Sequence, residues 1–217
     1  MSKVFIYVVD RDFGFAPNPF HGFCTLATCK QGIRNSGQIN DWIIGVGGGK
    51  LKATGKCIYA MRVSKKVSFN EYWFSREYAI KKPVRNGSSK MIVGDNIYFH
   101  DLAKAKWFQA DSHHSNTDGT LNHHNLNSDT KSENVLISDY FYYFGSNSPI
   151  IPNELLEAIG YKNGRNYRVF YPDEDNSLDI INWIESTYNK ERNLILGDPY
   201  NFDISHKRYD SGGNKVL

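Results

Sequence analysis

The sequence predicts an α+β fold, and two observations support that prediction. Short runs rich in Val, Ile, Tyr and Phe are concentrated before residue 145, whereas the clearest helical patterns come after it. Strands and helices that are segregated along a chain are typical of α+β domains. The aromatic share of 14%, with 14 Tyr and 13 Phe, also favours strands and binding surfaces over a helical bundle.

Strand patterns dominate the first half of the chain. Residues 4–9 form an apolar run bounded by charges, which indicates a buried strand, and a loop with the sequence DRDFGFAPNPF follows. Two prolines flank Asn18 in that loop and hold its backbone extended. DWIIGVGGG and KCIYAMRVS predict two neighbouring strands joined through the glycines of residues 47–55. GFCTLATCKQGIR suits a strand or a short helix, and GDNIYFH and VLISD predict two further strands.

Three segments predict helices. SFNEYWFSREYAIKK places Ser68 and Glu71 in the spacing of a capping box and ends before Pro83. NELLEAIG has an N-cap residue at its start and a glycine at its end. SLDIINWIESTYNK is the strongest helical pattern in the chain. Its apolar face consists of Leu178, Ile181, Ile184 and Tyr188.

Length and composition fit a single globular domain over residues 1–217, with a flexible tail from about residue 205. The net charge of +3 excludes a basic field over the whole molecule, so any contact with nucleic acid must be local. The first apolar run is too short for a signal peptide or a membrane span, and three cysteines cannot all pair. We therefore expect a cytoplasmic protein with free thiols and no membrane partner.

The block WFQADSHHS at residues 107–115 carries one part of the functional signal. A histidine pair beside an aspartate can bind a metal, relay a proton or contact a phosphate. Asp111, His113 and His114 are predicted to act in hydrogen bonding or acid–base chemistry, with a metal site and a purely structural role as alternatives. Adjacent histidines on a strand point to opposite faces and cannot easily share one ion, although a loop would remove that objection. His123 and His124 follow in SNTDGTLNHHNLNSD, a composition that also fits a plain solvent loop.

The cysteines do not indicate a metal centre either. Cys24 and Cys29 lack the second cysteine pair that would complete a structural zinc site. The sequence therefore predicts no metal ligands and no other cofactor.

A second block, VLISDYFYYFG at residues 135–145, places five aromatic side chains in succession. Successive strand side chains alternate, so the five rings cannot all be buried on one face and some should face an opening. Stacked aromatic rings bind a flat nucleobase well. We therefore predict that Tyr140, Tyr142 and Tyr143 contact a ligand.

The loop after the first strand is predicted to form another wall of the same pocket. Asp10 either belongs to a salt-bridged strand end or points into the opening with Phe13 and Phe15. Asn18, between its two prolines, offers both a donor and an acceptor for the edge of a base. These four residues complete the predicted ligand-binding set.

Several ordered motifs resemble the nucleotide modification associated domain, second type. They are RDFGFAPNPFHGFCTLATCK, DWIIGVGG, KCIYAMRVS with EYW, GDNIY, DSHHS and VLISDYFYYFG. The resemblance covers most of the chain and is weakest around KNGRNYRVF and in the tail. It implies a small protein of bacteria or phages that is associated with systems that modify DNA bases, in a DNA-modification or phage-defence context.

A second likeness concerns architecture. DWIIGVGG followed by KCIYAMRVS is similar to a segment of EVE and related PUA-like domains. That likeness implies a small β-barrel whose pocket binds a modified base. The expected sheet is therefore mixed or barrel-like, with peripheral helices.

Two function classes follow from these residues and from the resemblance. In the first, a pocket of aromatic and polar residues recognises a modified nucleobase or nucleotide, free or in DNA. In the second, the protein is a nucleotide- or base-modifying enzyme with His113 or His114 as the general acid or base. Asp111 or Asp139 would then orient that histidine or act as the base. The cysteines have no demonstrated partner in the sequence, which favours recognition, and a protein partner on the aromatic patch is a third alternative.

Overall fold

A computed structural model describes residues 2–164 and 166–217; Met1 and Arg165 fall within the predicted domain but lie outside the described residues. The strands are β1 (Val4–Val9), β2 (Cys24–Leu26), β3 (Trp42–Gly47), β4 (Cys57–Arg62), β5 (Lys65–Ser68), β6 (Tyr98–Asp101), β7 (Lys106–Gln109), β8 (Asn134–Ser138), β9 (Tyr140–Tyr143), β10 (Tyr167–Phe170), β11 (Tyr209–Asp210) and β12 (Lys215–Val216). The α-helices are α1 (Gln31–Ser36), α2 (Phe69–Phe74), α3 (Ser89–Ile92), α4 (His123–Asp129), α5 (Asn153–Ala158) and α6 (Ser177–Thr187). Short 3-10 helices span Gly49–Leu51, Ala79–Lys81, Gly145–Asn147 and Phe202–Ile204. The α+β class is confirmed.

The largest sheet has five strands in the order β10, β1, β3, β4, β9. β1 runs parallel to β3, and the other neighbours are antiparallel, so the predicted mixed sheet is confirmed. The barrel-like alternative is wrong. β10 and β9 lie at opposite edges of the sheet, and no pairing between them closes it within the described ranges.

Both faces of this sheet are covered. On one face, Phe5 and Tyr7 of β1 pack against β2, β8 and the helix α1. β2 and β8 belong to a second sheet, whose strand order is β2, β8, β5. On the other face, Val4 and Ile6 pack against α6 and the segment before α5. Because side chains alternate along a strand, a sheet covered on both faces is apolar at nearly every position, as β1 and β3 are.

The aromatic run of β9 is part of this double-sided core. Four of its five rings are buried: Phe141, Tyr142, Tyr143 and Phe144. Alternate rings enter the two cores on opposite faces of the sheet, so none of the four needs an opening. Only Tyr140 is partly exposed, and its ring packs edge-on against Trp42. The expectation that some rings face an opening assumed one covered face, whereas the fold covers two.

Local signals predicted several elements and misplaced some ends. The capping box before α2 is confirmed, since Ser68 Oγ accepts from the Glu71 N–H and Glu71 Oε2 accepts from the Ser68 N–H. The helix ends at Phe74, earlier than the pattern suggests. In α6 the buried apolar face is formed by Ile180, Ile181 and Ile184, whereas Leu178 is 47% exposed.

The polar segment between the two sequence blocks contains an element that composition did not reveal. Residues His123–Asp129 form α4, and Asn122 caps it by accepting a hydrogen bond from the Asn125 N–H at 2.9 Å. Asn125, Leu126 and Asp129 are buried. A composition rich in Asn, Ser and Asp is typical of a loop. The segment is nevertheless helical, because Asn122 caps its first turn and one face of it is buried.

None of the helices in the described ranges has both the length and the apolar character needed to cross a bilayer.

Gly45 on β3 provides a test of how tightly the central sheet packs. A Cβ at this position would lie 2.4 Å from the Tyr59 ring and 2.8 Å from a Val9 methyl carbon, while a Cβ at Gly49 would meet nothing within 4 Å. We expect Gly45→Ala to lower the free energy of unfolding by about 1–3 kcal/mol. Gly49→Ala should change it by less than about 0.5 kcal/mol. Urea unfolding of both variants measures the difference, and equal stabilities would contradict the packing.

Candidate functional site

A cleft of about 590 Å³ opens beside the C-terminal end of β1. Its walls come from the loop after β1, the turn before α1, the turn that holds His113 and His114, the helix α4 and the hairpin β11–β12. A volume of this size is within the roughly 300–1,000 Å³ of small-molecule sites and can hold a nucleotide. Asp10, Phe13 and Phe15 line it together with the two histidines, so the structure brings five predicted site residues into one place.

Cys29 lies on the cleft in an unusual backbone turn. Cys29 and Lys30 both have positive φ angles, 54° and 36°, which residues with a Cβ adopt rarely. Such conformations persist where the surrounding structure fixes them, and they concentrate at active sites. The Cys29 N–H donates to Asp129 Oδ1 at 2.8 Å, and Arg34 Nε donates to the Cys29 carbonyl at 2.8 Å. The turn between β2 and α1 thus holds the thiol against the cleft.

The thiol, an imidazole and a carboxylate stand in sequence along one side of the cleft. The Sγ of Cys29 is 3.9 Å from Nε2 of His114, and Nδ1 of His114 is 2.7 Å from Oδ2 of Asp129. His114 and Asp129 are buried, while Cys29 is partly exposed. A nucleophile, a base and a group that orients the base occur in this order in cysteine and serine enzymes of unrelated folds.

The protonation of this group follows from its hydrogen bonds. Burial alone would raise the pKa of Asp129, but the charge and hydrogen bond of His114 and the charge of Arg34 lower it. Burial alone would lower the pKa of His114, but Asp129 and the neighbouring Cys29 raise it to about 10. At neutral pH the pair is therefore an imidazolium beside a carboxylate. Because Nδ1 is bonded to Asp129, the Nε2 of this imidazolium is the nitrogen that faces the sulfur of Cys29.

Arg34 connects the backbone of Cys29 to the backbone of Asp129. Its guanidinium is fully buried and donates to the carbonyls of Cys29, Ser132, Asn134 and Asp129. One rigid fork of donors thus fixes both the turn that carries the thiol and the end of α4 that carries the carboxylate. Arg34 is a positioning residue for the site.

His113 differs from His114 although the two are adjacent in sequence. Its Nδ1 lies 2.7 Å from the carbonyl of Lys207, which can only accept, so Nδ1 carries the proton and Nε2 is an acceptor. Burial, with the charge of His114 beside it, lowers the pKa of His113 to about 3. Its ring centroid lies 4.5 Å from that of Phe13 and 5.1 Å from that of Phe15.

The two histidines lie in a turn, so the strand geometry that would separate their rings does not apply. Their centroids are 5.8 Å apart and both rings line the cleft. The pair supplies one cationic group, His114, and one neutral hydrogen-bond acceptor, His113. Such a division suits proton transfer at one point of a ligand and recognition at another.

The C-terminal hairpin β11–β12 forms one wall of the cleft. The Tyr209 N–H donates to the His113 carbonyl at 2.7 Å, and the Asn125 side chain donates to the Tyr209 carbonyl at 2.6 Å. The guanidinium carbon of Arg11 lies 4.9 Å from the Tyr209 ring centroid. The sequence predicts a flexible tail here, but these bonds join the segment to the turn and the helix that carry the site.

The remaining predicted residues lie elsewhere. Asp111 pairs at the surface with Arg208, and Asp139 hydrogen-bonds with Ser64 beside β9. The carboxylate partner of His114 is therefore Asp129. Tyr140, Tyr142 and Tyr143 belong to the layers around the central sheet and do not line the cleft.

Asn18 is buried inside the loop after β1. Its side chain donates to the Val93 carbonyl at 2.8 Å and accepts from the Phe20 N–H at 3.2 Å and from Lys81 Nζ at 2.8 Å. Both the donor and the acceptor predicted to bind a base edge are thus used within the protein. Asn18 holds the rigid loop that positions Phe13 and Phe15.

Sequence patterns alone did not reveal Cys29, Asp129, Arg34 or Tyr209 as site residues. Asp129 was hidden because α4 has the composition of a loop, although Asn122 ahead of it is a strong N-cap residue. Cys29 gave no local motif, since its partner lies 85 residues away. Only the tertiary structure brings these groups together.

Cys29, His114 and Asp129 are also a set of metal-ligating residues, with one donor atom from each lying within 4.8 Å of the others. Both oxygens of Asp129, however, already accept hydrogen bonds, from the Cys29 N–H, from Tyr98 Oη and from His114 Nδ1. Nδ1 of His114 is occupied by its hydrogen bond to Asp129, so an ion beside Sγ would have to use Nε2, on the other side of the imidazole ring from the carboxylate. A catalytic zinc site has three protein ligands. The arrangement fits proton transfer better than metal binding.

Comparison with known proteins identifies the family. A family model described as nucleotide modification associated domain 2 matches residues 1–206. The chain belongs to this family. The resemblance of the ordered motifs is thereby confirmed, while no curated protein and no solved structure matches the chain. The match to nucleotide modification associated domain 2 includes Cys29, His114 and Asp129 and ends before the hairpin β11–β12.

Thiol alkylation tests the environment of Cys29 in this nucleotide modification associated domain. Burial raises the pKa of Cys24 to about 12 and that of Cys57 well above its usual range, and both side chains are inaccessible. We expect iodoacetamide to modify Cys29 first, and His114→Gln to slow that reaction by removing the imidazolium. Peptide mass spectrometry measures both, and faster labelling of Cys24 or Cys57 in the folded protein would contradict the assignment.

The ion pair of His114 with Asp129 predicts a pH dependence of stability. The folded-state pKa of His114, about 10, lies above the ordinary value of 6.5. Its contribution is therefore fully present below about pH 6.5 and is lost as pH rises toward about 10. Over this window the free energy of unfolding should fall more steeply for the native sequence than for His114→Gln. The free energy of unfolding is measured by denaturant titration at several pH values. Parallel pH dependences for the two proteins would contradict the ion pair.

Proposed function

We propose that this domain modifies a nucleotide or nucleobase, free or within DNA, by covalent catalysis from Cys29. The observation that carries the proposal is the order of Cys29, His114 and Asp129 along one cleft. Membership of the nucleotide modification associated domain 2 family supports a nucleotide as the substrate class. The volume of the cleft, about 590 Å³, suits such a ligand.

The substrate ring would lie against Phe13, Phe15 and His113, whose rings line the cleft side by side. Aromatic faces of this kind stack on any nucleobase. Nε2 of His113 would accept a hydrogen bond from an N–H or O–H at the edge of the ring. Because a neutral imidazole with a fixed proton on Nδ1 cannot donate from Nε2, a substrate with a lone acceptor at that position would be rejected.

The proposed chemical step starts from Cys29 as a thiolate, the nucleophilic form of cysteine, beside the imidazolium of His114. The thiolate of Cys29 adds to an electrophilic carbon of the substrate, and a new S–C bond forms while a π bond at that carbon opens. The electron pair moves onto the neighbouring substrate atom, which takes the proton from Nε2 of His114. Asp129 keeps the imidazole in place and stabilises its charge before the transfer. Collapse of the adduct re-forms the π bond and expels a leaving group from that carbon together with the proton received from His114. Water then adds to the same carbon and gives a proton to Nε2 of His114, and the S–C bond breaks, so the leaving group is replaced by a hydroxyl and the thiolate is regenerated.

Recognition of a modified base without a covalent step is the second proposal. The aromatic wall of Phe13, Phe15 and His113 favours it, because such a wall binds a base whether or not a reaction follows. In this alternative the domain would act in a DNA-modification or phage-defence setting as a reader. The cationic His114 would then contact an anionic group of the ligand.

Substitution of Cys29 separates the two proposals. Thermal shift with modified and unmodified nucleotides and short DNAs first identifies a ligand, because ligand binding raises the melting temperature. If catalysis is covalent, protein from a quenched reaction with that ligand should show the added mass of the ligand on Cys29 by peptide mass spectrometry. Cys29→Ala should then still bind the ligand but lose the adduct and the turnover.

The matched control is Cys57→Ala. Cys57 is buried in the core, does not line the cleft and takes no part in the proposed step. It should retain both binding and adduct. Turnover that persists in Cys29→Ala would overturn covalent catalysis, and ligand binding without turnover in any of the proteins would favour recognition.

A further inference from the structure

Four aromatic rings form a cluster on the outer side of the hairpin β6–β7. Phe99 and Phe108 stack across the two strands with centroids 4.9 Å apart, and Trp73 lies 5.2 Å from Phe99 and 5.3 Å from Phe108. Phe74 extends the cluster, at 5.4 Å from Phe99. Phe74 and Phe108 are 67% and 43% exposed. A contiguous exposed aromatic surface of this kind usually marks a binding site.

Strand register explains why these rings face outward. The cross-strand pairs Phe99 with Phe108 and Asp101 with Lys106 lie on one face of the hairpin. Tyr98 and Trp107 lie on the opposite face, which packs against Phe69 of α2. The hairpin therefore has one face in the core and one apolar face for which the described residues supply no cover beyond α2.

Lysines surround the exposed rings. Lys82 Nζ lies 4.0 Å from the Trp73 ring centroid, Lys106 shares the outer face of the hairpin, and Lys104 lies in the turn between its strands. Asp101, whose Oδ2 lies 3.3 Å from Lys104 Nζ, is a carboxylate on this face, and the Glu71 carboxylate of α2 is bonded to Ser68. On the described hairpin Lys104 and Lys106 outnumber Asp101, and Lys82 adds a cation at Trp73, so this side of the surface carries net positive charge.

We propose that this surface, formed by Trp73, Phe74, Phe99 and Phe108 with Lys82, Lys104 and Lys106, binds single-stranded nucleic acid. Bases stack on the exposed rings and phosphates lie near the lysines, which is the way in which proteins bind single strands without sequence preference. Lysine is depleted in the centre of protein–protein interfaces, so the three lysines at this surface favour nucleic acid over a second copy of the chain as its partner.

The hairpin also connects this surface to the cleft. Tyr98, on the buried face of β6, donates to Asp129 at 3.0 Å, and Gln109 of β7 donates to Tyr98 Oη and to the His114 carbonyl, each at 3.0 Å. The hairpin that carries the outer rings therefore also holds Asp129 and His114 from its buried face. The inference goes beyond the proposed function, because binding at the hairpin requires no chemistry at Cys29.

Fluorescence anisotropy with a labelled oligothymidylate of about 20 nucleotides tests the surface, since that length exceeds the roughly 4–16 nucleotides of single-strand sites. Phe74→Ala with Phe108→Ala should raise Kd at least about fivefold, and Lys104→Gln with Lys106→Gln should weaken binding and flatten its salt dependence. The matched control, Ile150→Ala with Leu178→Ala, removes apolar side chains that are 68% and 47% exposed elsewhere and should leave Kd unchanged. The phenylalanine variant, whose substituted rings do not line the cleft, should keep the adduct on Cys29 and the turnover with a free nucleotide, which separates this test from that of the proposed function.

Several results would overturn the proposal. They are absence of binding by the native sequence, an unchanged Kd for the phenylalanine variant, or equal affinity for a blunt duplex in which bases cannot reach the rings. Self-association in sedimentation that is lost in the phenylalanine variant would assign the surface to a second copy instead. Circular dichroism checks the fold of each variant. The spectra should match that of the native sequence, because the substituted side chains are at the surface.

Discussion

The buried carboxylate of Asp129 is the group on which the cleft depends, because it joins three separate parts of the chain. It accepts the N–H of Cys29 from the turn before α1, the O–H of Tyr98 from β6 and the Nδ1–H of His114 from the turn after β7. A charge removed from water must be compensated by hydrogen bonds and an opposite charge. The bonds that make the burial of Asp129 tolerable therefore also place the thiol beside the imidazole, and stability and chemistry share the same contacts.

Elements with a regular apolar pattern could be predicted from the sequence. β1, β3 and β4 are predictable because each is a bounded apolar run, and α2 because Ser68 and Glu71 satisfy its first turn. Closure of the sheet could not be predicted in the same way, since it depends on pairing between distant strands. The burial of the β9 rings likewise depends on α6 and the second sheet, which cover both faces.

The candidate site was predictable only in part. Histidines beside an aspartate indicate proton chemistry from their residue types alone, and His113 and His114 do lie in the cleft. The identity of the carboxylate could not be inferred, because Asp129 reaches His114 through a helix whose polar composition resembles a loop. Cys29 required both a left-handed turn and a distant partner, neither of which leaves a signature in the residues around it.

The hairpin β11–β12 supplies Tyr209 to the cleft, yet it lies after residue 206, where the family match ends. Cys29, His114 and Asp129 are thus encoded in one stretch of sequence, and one wall of the cleft that they line is encoded in another. Under the proposed function, a change confined to the second stretch would alter which ligands fit the cleft and would leave Cys29, His114 and Asp129 in place.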